Sequence, residues 1–240
     1  MRVAFISDLH LHARAPDTLA LATHYLDTAL EDVSSLYILG DLFDAWVGDD
    51  DPVEWASPFV RALHAVHSRG TSVHLMHGNR DFLLGEVFAA RVQATLHRED
   101  RLLITLGEHR VLLMHGDTLC TDDTDYLSVR ETVRSSTWQR DFLRQPLSTR
   151  HEHAQALRNE SRLRTAAKDL DMTDANPGAC EKQLREADAD WLIHGHTHRP
   201  AVHDCGPGTR FVLGEWLAEG ATVGVFDGQD MRLERWPSAD

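Results

Sequence analysis

Five short clusters of polar residues, spread along the chain, carry side chains that could bind metal ions. In chain order they are Asp8-Leu9-His10, Gly40-Asp41, Gly78-Asn79-Arg80-Asp81, His115-Gly116-Asp117 and His194-Gly195-His196-Thr197-His198. Their donors are carboxylates, an amide oxygen and imidazoles, with no thiolate, and this set favours a divalent ion such as Mn, Fe or Zn over a structural zinc site. The candidate ligands are Asp8, His10, Asp41, Asn79, His115, His196 and His198.

Each cluster follows a short apolar run that is typical of a buried β-strand. The runs are residues 3–6, 36–39, 73–76, 111–114 and 191–193. Because ligands of open α/β sheets collect at the carboxyl ends of strands, we predict that one sheet brings all five clusters to one edge. Asp8 and His10 are two residues apart, as are His196 and His198, and on an extended backbone each pair would converge on one site.

The number of candidate ligands exceeds what one ion needs when it also keeps a position open for substrate. We therefore predict two ions that share one carboxylate, and Asp41 is the natural bridge. Two metals about 3.5 to 4 Å apart would hold a hydroxide and clamp a phosphoryl group for in-line displacement. Taken alone, an Asp-x-His or a Gly-Asp is more often part of a turn. The ordered set, above all His-Gly-His-Thr-His after an apolar run, favours the metal site.

Other polar residues are assigned structural roles. The chain has 16 histidines, so composition alone makes some of them cluster. We interpret ten as surface or core residues: His12, His24, His64, His67, His74, His97, His109, His151, His153 and His203. His194 is expected to support its neighbours rather than bind metal. Asp44, Asp81 and Asp117 are expected to orient imidazoles and backbone rather than act as ligands.

The ordered clusters resemble those of the calcineurin-like metallophosphoesterase superfamily. That resemblance implies an α/β fold of four layers, a two-sheet β-sandwich flanked by helices, with a dinuclear site at one edge. Longer strings resemble one family within it, the UDP-2,3-diacylglucosamine pyrophosphohydrolases of lipid A biosynthesis. These strings are YILGDLF (37–43), VGDDDP (47–52), HGNRDFLLG (77–85), MHGDTLCTDD (114–123) and WLIHGHTHRPAVH (191–203). The resemblance runs from about Val3 to about Trp236.

The residue after Asn79 indicates a substrate class on chemical grounds. Many metallophosphoesterases place there a histidine that can protonate a leaving alkoxide, and here the residue is Arg80. Arginine stays charged and binds phosphate oxygens through a planar fork, but it cannot give up a proton. The leaving group should therefore depart as an anion, as phosphate does from a pyrophosphate bond. The alternative is that Arg80 merely pairs with Asp81 at the surface.

The resemblance also implies a role for each matching residue. One ion would be bound by Asp8, His10, Asp41 and His198, and the other by Asp41, Asn79, His115 and His196. The catalytic residues would be Asp41, Asn79, Arg80 and His196. Substrate contacts would come from Asn79, Arg80, Asp123, Ser161, Thr165, Lys168 and His196. Thr165 departs from the family pattern, because an asparagine is expected at that position. The implied cofactors are two divalent ions, with Mn²⁺ as the expected metal.

Length and composition favour one catalytic unit. A chain of 240 residues can form a single domain over residues 1–240, and no linker, repeat or low-complexity tract divides it. Three cysteines without paired spacing are typical of reduced thiols in the cytosol. We find no signal peptide and no apolar run approaching the roughly 18 residues that span a bilayer. The expected location is therefore the cytoplasm, and the resemblance to lipid A enzymes implies peripheral attachment to the inner membrane.

Charge is unevenly distributed. The net charge of −14 disfavours binding to nucleic acid, yet residues 126–168 carry nine basic side chains against four acidic ones. Spaced apolar residues occur in the same segment: Leu127, Val129, Val133, Trp138, Phe142, Leu143 and Leu147. We predict a helical insertion at 120–170 that caps the metal site, with an apolar face for acyl chains and arginines for anionic groups or an anionic membrane. A solvated basic helix is the alternative.

The resemblance implies hydrolysis of UDP-2,3-diacylglucosamine, a nucleotide-sugar lipid, to UMP and 2,3-diacylglucosamine 1-phosphate. In that reaction a hydroxide activated by two metals attacks the α-phosphorus. One alternative is another nucleotide diphosphate or dinucleoside polyphosphate hydrolase, which would not need the acyl chains. A second alternative is a noncatalytic interaction module on the same scaffold. Such a module normally lacks ligands, and this chain lacks none of the expected set.

Overall fold

The computed structural model describes residues 1–166 and 173–238. Within these ranges the strands are β1 (Arg2–Ile6), β2 (Val33–Ile38), β3 (Ser72–Met76), β4 (Ala94–His97), β5 (Leu102–Leu106), β6 (His109–Leu113), β7 (Trp191–His194), β8 (Ala201–Asp204), β9 (Thr209–Val212), β10 (Ala221–Phe226) and β11 (Met231–Trp236). The helices are α1 (Pro16–Thr28), α2 (Ser57–Ser68), α3 (Glu86–Arg91), α4 (Thr124–Arg134), α5 (Ser136–Leu143), α6 (Leu147–Ala166) and α7 (Pro177–Ala187). Across the described ranges, no helix combines the length and the apolar character needed to cross a membrane.

The strands form two mixed sheets. The six-stranded sheet has the order β11-β10-β1-β2-β3-β4, in which β1 to β4 are parallel and β10 runs antiparallel to β1 and β11. The five-stranded sheet has the order β5-β6-β7-β9-β8, in which β6, β7 and β9 are parallel. The two sheets share one buried apolar cluster, which includes Phe5 of β1, Val111 of β6 and Ile193 of β7. They therefore pack as a sandwich.

Helices cover the outer faces of the sandwich. On the six-stranded sheet, Leu26 of α1, Leu63 of α2 and Phe88 of α3 belong to the largest buried cluster. On the five-stranded sheet, Cys180 and Leu184 of α7 pack in a third cluster. The order helix, sheet, sheet, helix confirms the predicted four-layer α/β fold.

All five apolar runs are strands, but they do not belong to one sheet. Strands β1, β2 and β3 lie in the six-stranded sheet, whereas β6 and β7 lie in the five-stranded sheet. The prediction that a single sheet carries every cluster is therefore wrong. Apolar periodicity identifies a strand without identifying its partner. The second sheet begins with a hairpin, β5 to β6, whose two-residue turn contains Gly107 at a φ of 59°.

Helices α4 and α5 begin at well-formed N-caps. The carboxylate of Asp123 accepts a hydrogen bond from the backbone N–H of Tyr126 at 3.1 Å. The hydroxyl of Ser135 accepts one from the backbone N–H of Trp138 at 3.3 Å. Each cap satisfies a backbone donor that the first helical turn leaves free, so the sequence itself sets where these helices start.

Two arginines attach α6 to the loop that follows β2. Arg150, which is 2% exposed, pairs with Asp50 and donates to the carbonyl of Val47 at 2.6 Å. About two helical turns further along α6, Arg158 pairs with Asp44. Helix α6 therefore lies against the loop that also carries the second polar cluster.

The apolar layer between the two sheets should contribute strongly to stability. Phe5 is fully buried and stacks on Tyr37 at 5.5 Å between ring centroids, so we expect Phe5→Ala to lower the free energy of unfolding by about 3–5 kcal/mol. Urea unfolding followed by tryptophan fluorescence measures this change. Leu103→Ala is the control, because Leu103 is 44% exposed on β5. Equal effects of the two substitutions would contradict this description of the core.

Candidate metal centre

The loops that carry the polar clusters continue the pairing of the strands before them. In the six-stranded sheet, the N–H of Asp8 donates to the carbonyl of Gly40 at 3.1 Å. In the five-stranded sheet, the N–H of Gly195 donates to the carbonyl of His115 at 2.8 Å. Each sheet therefore presents its polar residues side by side just beyond the ends of its parallel strands.

Hydrogen bonds between the two sheets connect them at this edge. The backbone N–H of His196 donates to Asp8 Oδ2 at 2.9 Å. His115 Nδ1 donates to the carbonyl of Leu39 at 2.9 Å, which leaves its Nε2 as the nitrogen with a free lone pair. Each bond joins a residue of one sheet to a residue of the other. As a result, the clusters meet at one edge of the sandwich although they come from two sheets.

Five candidate ligands have a left-handed backbone conformation. The φ angles are 57° for Asp8, 46° for His10, 52° for Asp41, 68° for His196 and 56° for His198. Such conformations cost about 1–3 kcal/mol each for residues other than glycine, so the surrounding contacts must hold them. The expectation of an extended backbone at the two residue pairs is therefore wrong. In the second pair, His196 and His198 contact different groups of donors rather than one.

Asp8, His10 and His198 form the first group of donors. His198 Nε2 lies 3.4 Å from Asp8 Oδ1, and His10 Nε2 lies 3.8 Å from the same oxygen. The two Nε2 atoms are 3.2 Å apart. Asp8 Oδ1 and His10 Nδ1 are buried without a hydrogen-bond partner. Because burying an unpaired polar atom is costly, this group is one that a bound cation would stabilise.

Asn79, His115 and His196 form the second group. Asn79 Oδ1 lies 2.9 Å from both His115 Nε2 and His196 Nδ1. Asp41 Oδ2 lies 3.8 Å from His115 Nε2 and 3.8 Å from His10 Nδ1 of the first group. Asp41 therefore stands between the two groups, in the position that a bridging carboxylate requires.

Burial shapes the charge states at this centre. It lowers the pKa of His10 to about 3 and that of His196 to about 4, so both rings are neutral and keep a lone pair at neutral pH. Burial raises the pKa of Asp41 to about 7, against the opposing charge of His115. Burial would also raise the pKa of Asp8, but the close contact with His198 and the positive charge of His115 and His198 lower it. Burial opposes a charge on His198 and His115 as well, but the carboxylates beside His198 raise its pKa to about 10, and the charge of Asp41 raises the pKa of His115. Bound divalent cations would replace those protons and offset the desolvation of the carboxylates.

Asp81 holds together the loops that follow β2 and β3. Its Oδ1 accepts hydrogen bonds from the backbone N–H groups of Gly78 at 2.8 Å and Asp41 at 3.2 Å. Its Oδ2 accepts from those of Leu42 at 2.7 Å and Phe43 at 3.4 Å. The residue is 1% exposed. Asp81 therefore orients backbone, as the sequence predicted.

Glycine is required where the loops touch. A Cβ on Gly78 would lie 2.1 Å from Asp41 Oδ1, and a Cβ on Gly195 would lie 2.1 Å from Asp8 Oδ2. No side chain fits in either space. These two glycines of the polar clusters therefore allow the carboxylates to approach the neighbouring loops closely enough to share one centre.

Asp44 and Asp117 support helices rather than imidazoles. Asp44 pairs with Arg158 of α6. Asp117 Oδ2 accepts hydrogen bonds from the hydroxyl of Tyr126 at 2.6 Å and from Arg130 Nε at 2.7 Å, both on α4. Within the described ranges neither carboxylate hydrogen-bonds an imidazole, because arginine and hydroxyl groups of α4 and α6 bind them instead. The negative charge of Asp117 nevertheless acts on His115 and His196.

An apolar cavity under α4, α5 and α6 adjoins the second group of donors. Asn79 and Arg80 are among the residues that line it. Within the described ranges, Arg80 makes no ion pair, so the alternative of a surface pair with Asp81 is not observed there. Of the apolar residues predicted to face a slot, four line this cavity: Val129, Val133, Trp138 and Phe142.

Sequence reasoning missed part of this cavity. Trp46, Phe82 and Leu83 also line it, and they come from the loops that follow β2 and β3. Phe82 supports Arg134, whose guanidinium lies 5.1 Å from the centre of the ring. Apolar side chains directly after ligand clusters are a signal that could have identified these residues.

The remaining predicted residues occupy varied positions. Asp123 caps α4 through its side chain. His194 is fully buried, and its Nδ1 donates to the carbonyl of the next residue at 2.8 Å, outside both donor groups. Lys168 and the side chains of Ser161 and Thr165 lie outside the described part of the structure.

Comparisons with known proteins agree with this geometry. Residues 1–200 match the family model described as calcineurin-like phosphoesterase. The UDP-2,3-diacylglucosamine hydrolase of Klebsiella pneumoniae is 42% identical, covering 99% of this chain and 100% of that protein. The protein of that name from Chromohalobacter salexigens is 43% identical, covering 98% of each. Among solved structures, an archaeal phosphodiesterase matches 98% of this chain and 99% of its own with a TM-score of 0.50 at 13% identity, which supports the fold alone.

Replacement of Asp81 tests the support of the donor loops. We expect Asp81→Asn to lower the free energy of unfolding by about 1–3 kcal/mol, because an amide nitrogen would face backbone donors that then lack a partner. Thermal unfolding measures the change, and Mn²⁺ titration should show weaker binding. Asp188→Asn is the control, since that side chain is 91% exposed. A stable variant with unchanged metal affinity would refute this role.

Proposed function

This chain belongs to the calcineurin-like phosphoesterase family, and on that premise we propose that it is a UDP-2,3-diacylglucosamine hydrolase. The bond cleaved is the pyrophosphate bond, and the products are UMP and 2,3-diacylglucosamine 1-phosphate. Identity of 42–43% to relatives of that name over nearly the whole chain supports this assignment.

One observation carries the proposal beyond family membership. Asn79 and Arg80 line the apolar cavity, and Asn79 also contacts His115 and His196 of the donor group. A substrate bound there would place phosphate oxygens beside the cationic and metal-binding groups and hydrocarbon in the cavity. A phosphate ester that carries acyl chains has this division of charge and apolar surface. A free nucleotide would leave the cavity unfilled.

The two donor groups are proposed to hold two divalent ions, with Mn²⁺ as the expected metal. Asp8, His10 and His198 would bind one, Asn79, His115 and His196 the other, and Asp41 both. When bound, the ions would lower the pKa of an attacking water and offset charge on the phosphoryl oxygens. Burial of the donors strengthens these interactions because little water competes.

Arg80 is proposed to bind the diphosphate of the substrate. This residue directly follows the proposed ligand Asn79 and, beside the larger effect of burial, its positive charge acts to lower the pKa of both His10 and Asp41, so its charge lies near the donor groups. There it would bind a phosphate oxygen through two N–H groups and orient the diphosphate. It cannot protonate the leaving group. A sugar 1-phosphate leaves as an anion and needs no such proton, whereas an alcohol would leave poorly.

The helices α4, α5 and α6, within the insertion predicted at 120–170, are proposed to act as a cap over the substrate. Their inner face supplies Val129, Val133 and Trp138 to the cavity. The same helical segment also carries the partly exposed Leu143 and, next in the chain, Arg144, whose side chain is 73% exposed. Apolar and basic groups together suit an anionic membrane surface, so we propose peripheral attachment at the cytoplasmic face of the inner membrane.

An assay with purified protein and Mn²⁺ tests the assignment. We expect UMP release from UDP-2,3-diacylglucosamine and a fall in kcat/KM of at least about 100-fold when both acyl chains are removed, because the apolar cavity would then contribute little binding. Similar rates with and without the chains would instead indicate a nucleotide diphosphate hydrolase. Turnover of a simple phosphomonoester without UMP release would defeat the proposal.

Loss of the bridging carboxylate should abolish turnover. We expect Asp41→Ala to retain less than about one hundredth of the activity, since both ions would lose a ligand. The matched control is Asp230→Ala, in the exposed turn between β10 and β11. Circular dichroism verifies that the variant is folded. A folded Asp41→Ala protein with more than that activity would contradict the bridging role.

A further inference from the structure

A carboxylate that none of the five polar clusters contains lies against one of the candidate ligands. Glu215 follows β9 in a loop that is tied to both sheets. On one side of it, the N–H of Leu213 donates to the carbonyl of His194 at 2.8 Å. On the other side, the N–H of Trp216 donates to the carbonyl of Asp8 at 3.1 Å. The backbone of Glu215 is thus held between the loops that carry the first donor group.

The residue after Glu215 keeps this position rigid. Trp216 is 3% exposed, and its ring packs edge-on against Tyr25 of α1 at 5.3 Å between centroids. Gly214, the residue before Glu215, donates its N–H to the carbonyl of Thr222 on β10 at 3.0 Å. Glu215 therefore extends from fixed backbone although its own side chain is 37% exposed.

The side chain of Glu215 contacts the nitrogen of His198 that faces away from the donor group. Glu215 Oε2 lies 3.0 Å from His198 Nδ1. The other nitrogen, Nε2, lies 3.4 Å from Asp8 Oδ1 and 3.2 Å from His10 Nε2. A histidine that donates Nδ1–H to a carboxylate has its lone pair at Nε2, which is the tautomer a ligand at this place must have.

We propose that Glu215 is a positioning residue that fixes the tautomer and orientation of His198 and thereby selectively strengthens metal binding at the first donor group. His115 of the second group donates instead to the Leu39 carbonyl, a neutral acceptor. The two donor groups therefore differ in what accepts the Nδ1–H of a histidine ligand: a charged carboxylate for His198 and a neutral carbonyl for His115. A carboxylate acceptor makes the imidazole a stronger metal ligand. This inference rests on the proposed metal centre and not on the identity of the lipid substrate.

Metal titration of the complete chain tests the inference without using activity. The probe is Mn²⁺, followed by calorimetry and by electron paramagnetic resonance of the free ion. We expect Glu215→Ala to weaken one of two Mn²⁺ sites by about 10–100-fold and to leave the other within about twofold. Glu215→Gln keeps an oxygen that can accept from Nδ1, so its loss should be smaller. Glu219→Gln, an exposed change in the same loop, should alter neither site.

Nitrogen-15 NMR of the Zn²⁺-loaded protein reports the tautomer directly. In the unsubstituted protein, His198 should carry its proton on Nδ1, and in Glu215→Ala that signal should broaden or split as the ring loses its fixed orientation. Unchanged affinities and an unchanged His198 spectrum in Glu215→Ala would overturn the proposal. Equal weakening of both sites with a lower melting temperature would also overturn it, by indicating a general structural role. If the unsubstituted chain bound two ions and Glu215→Ala had no effect, only this inference would fail. If the unsubstituted chain bound no metal, the proposed function would fail too.

Discussion

The candidate metal centre depends on the buried carboxylate of Asp8, whose two oxygens make different contacts. Asp8 Oδ2 accepts the backbone N–H of His196 and so joins the two sheets at their common edge. Asp8 Oδ1 has no hydrogen-bond partner and faces His10 and His198. The first oxygen contributes to the fold and the second is available to a cation. If the hydrogen bond to Oδ2 were lost, the loop that carries His196 and His198 would lose its direct backbone attachment to Asp8.

Close approach and burial reinforce this arrangement. Gly78 and Gly195 place no side chain between loops that touch. Asp81 binds backbone N–H groups of the loops that follow β2 and β3 and so holds these loops together. The left-handed backbone conformation of five ligands is unfavourable, and the contacts of the surrounding sheets and helices must compensate for its cost. The result is a rigid, poorly hydrated set of donors. Such a set can act on a phosphate ester without first rearranging, which is the main electrostatic advantage of an enzyme over water.

The sequence predicted the strands and the convergence of the donor residues well, because five apolar runs in order, each followed by possible metal ligands, are far more specific than any single Asp-x-His or Gly-Asp. It failed at the partition into two sheets, since the pattern of a strand such as β6 does not reveal whether it pairs with β3 or β7. It also failed at the backbone of Asp8 and His10, where tertiary hydrogen bonds impose left-handed turns on residues that have no strong preference for them. Glu215 was missed because it lies far from the clusters along the chain and near them only in the fold.

Anomalous diffraction from crystals grown with Mn²⁺ is the most direct test of the central claim, that donors from two sheets share one dinuclear centre. The account predicts two manganese peaks about 3.5–4 Å apart, both adjoining Asp41, with one beside Asp8, His10 and His198 and the other beside Asn79, His115 and His196. A single peak, or two peaks that do not share Asp41, would contradict it.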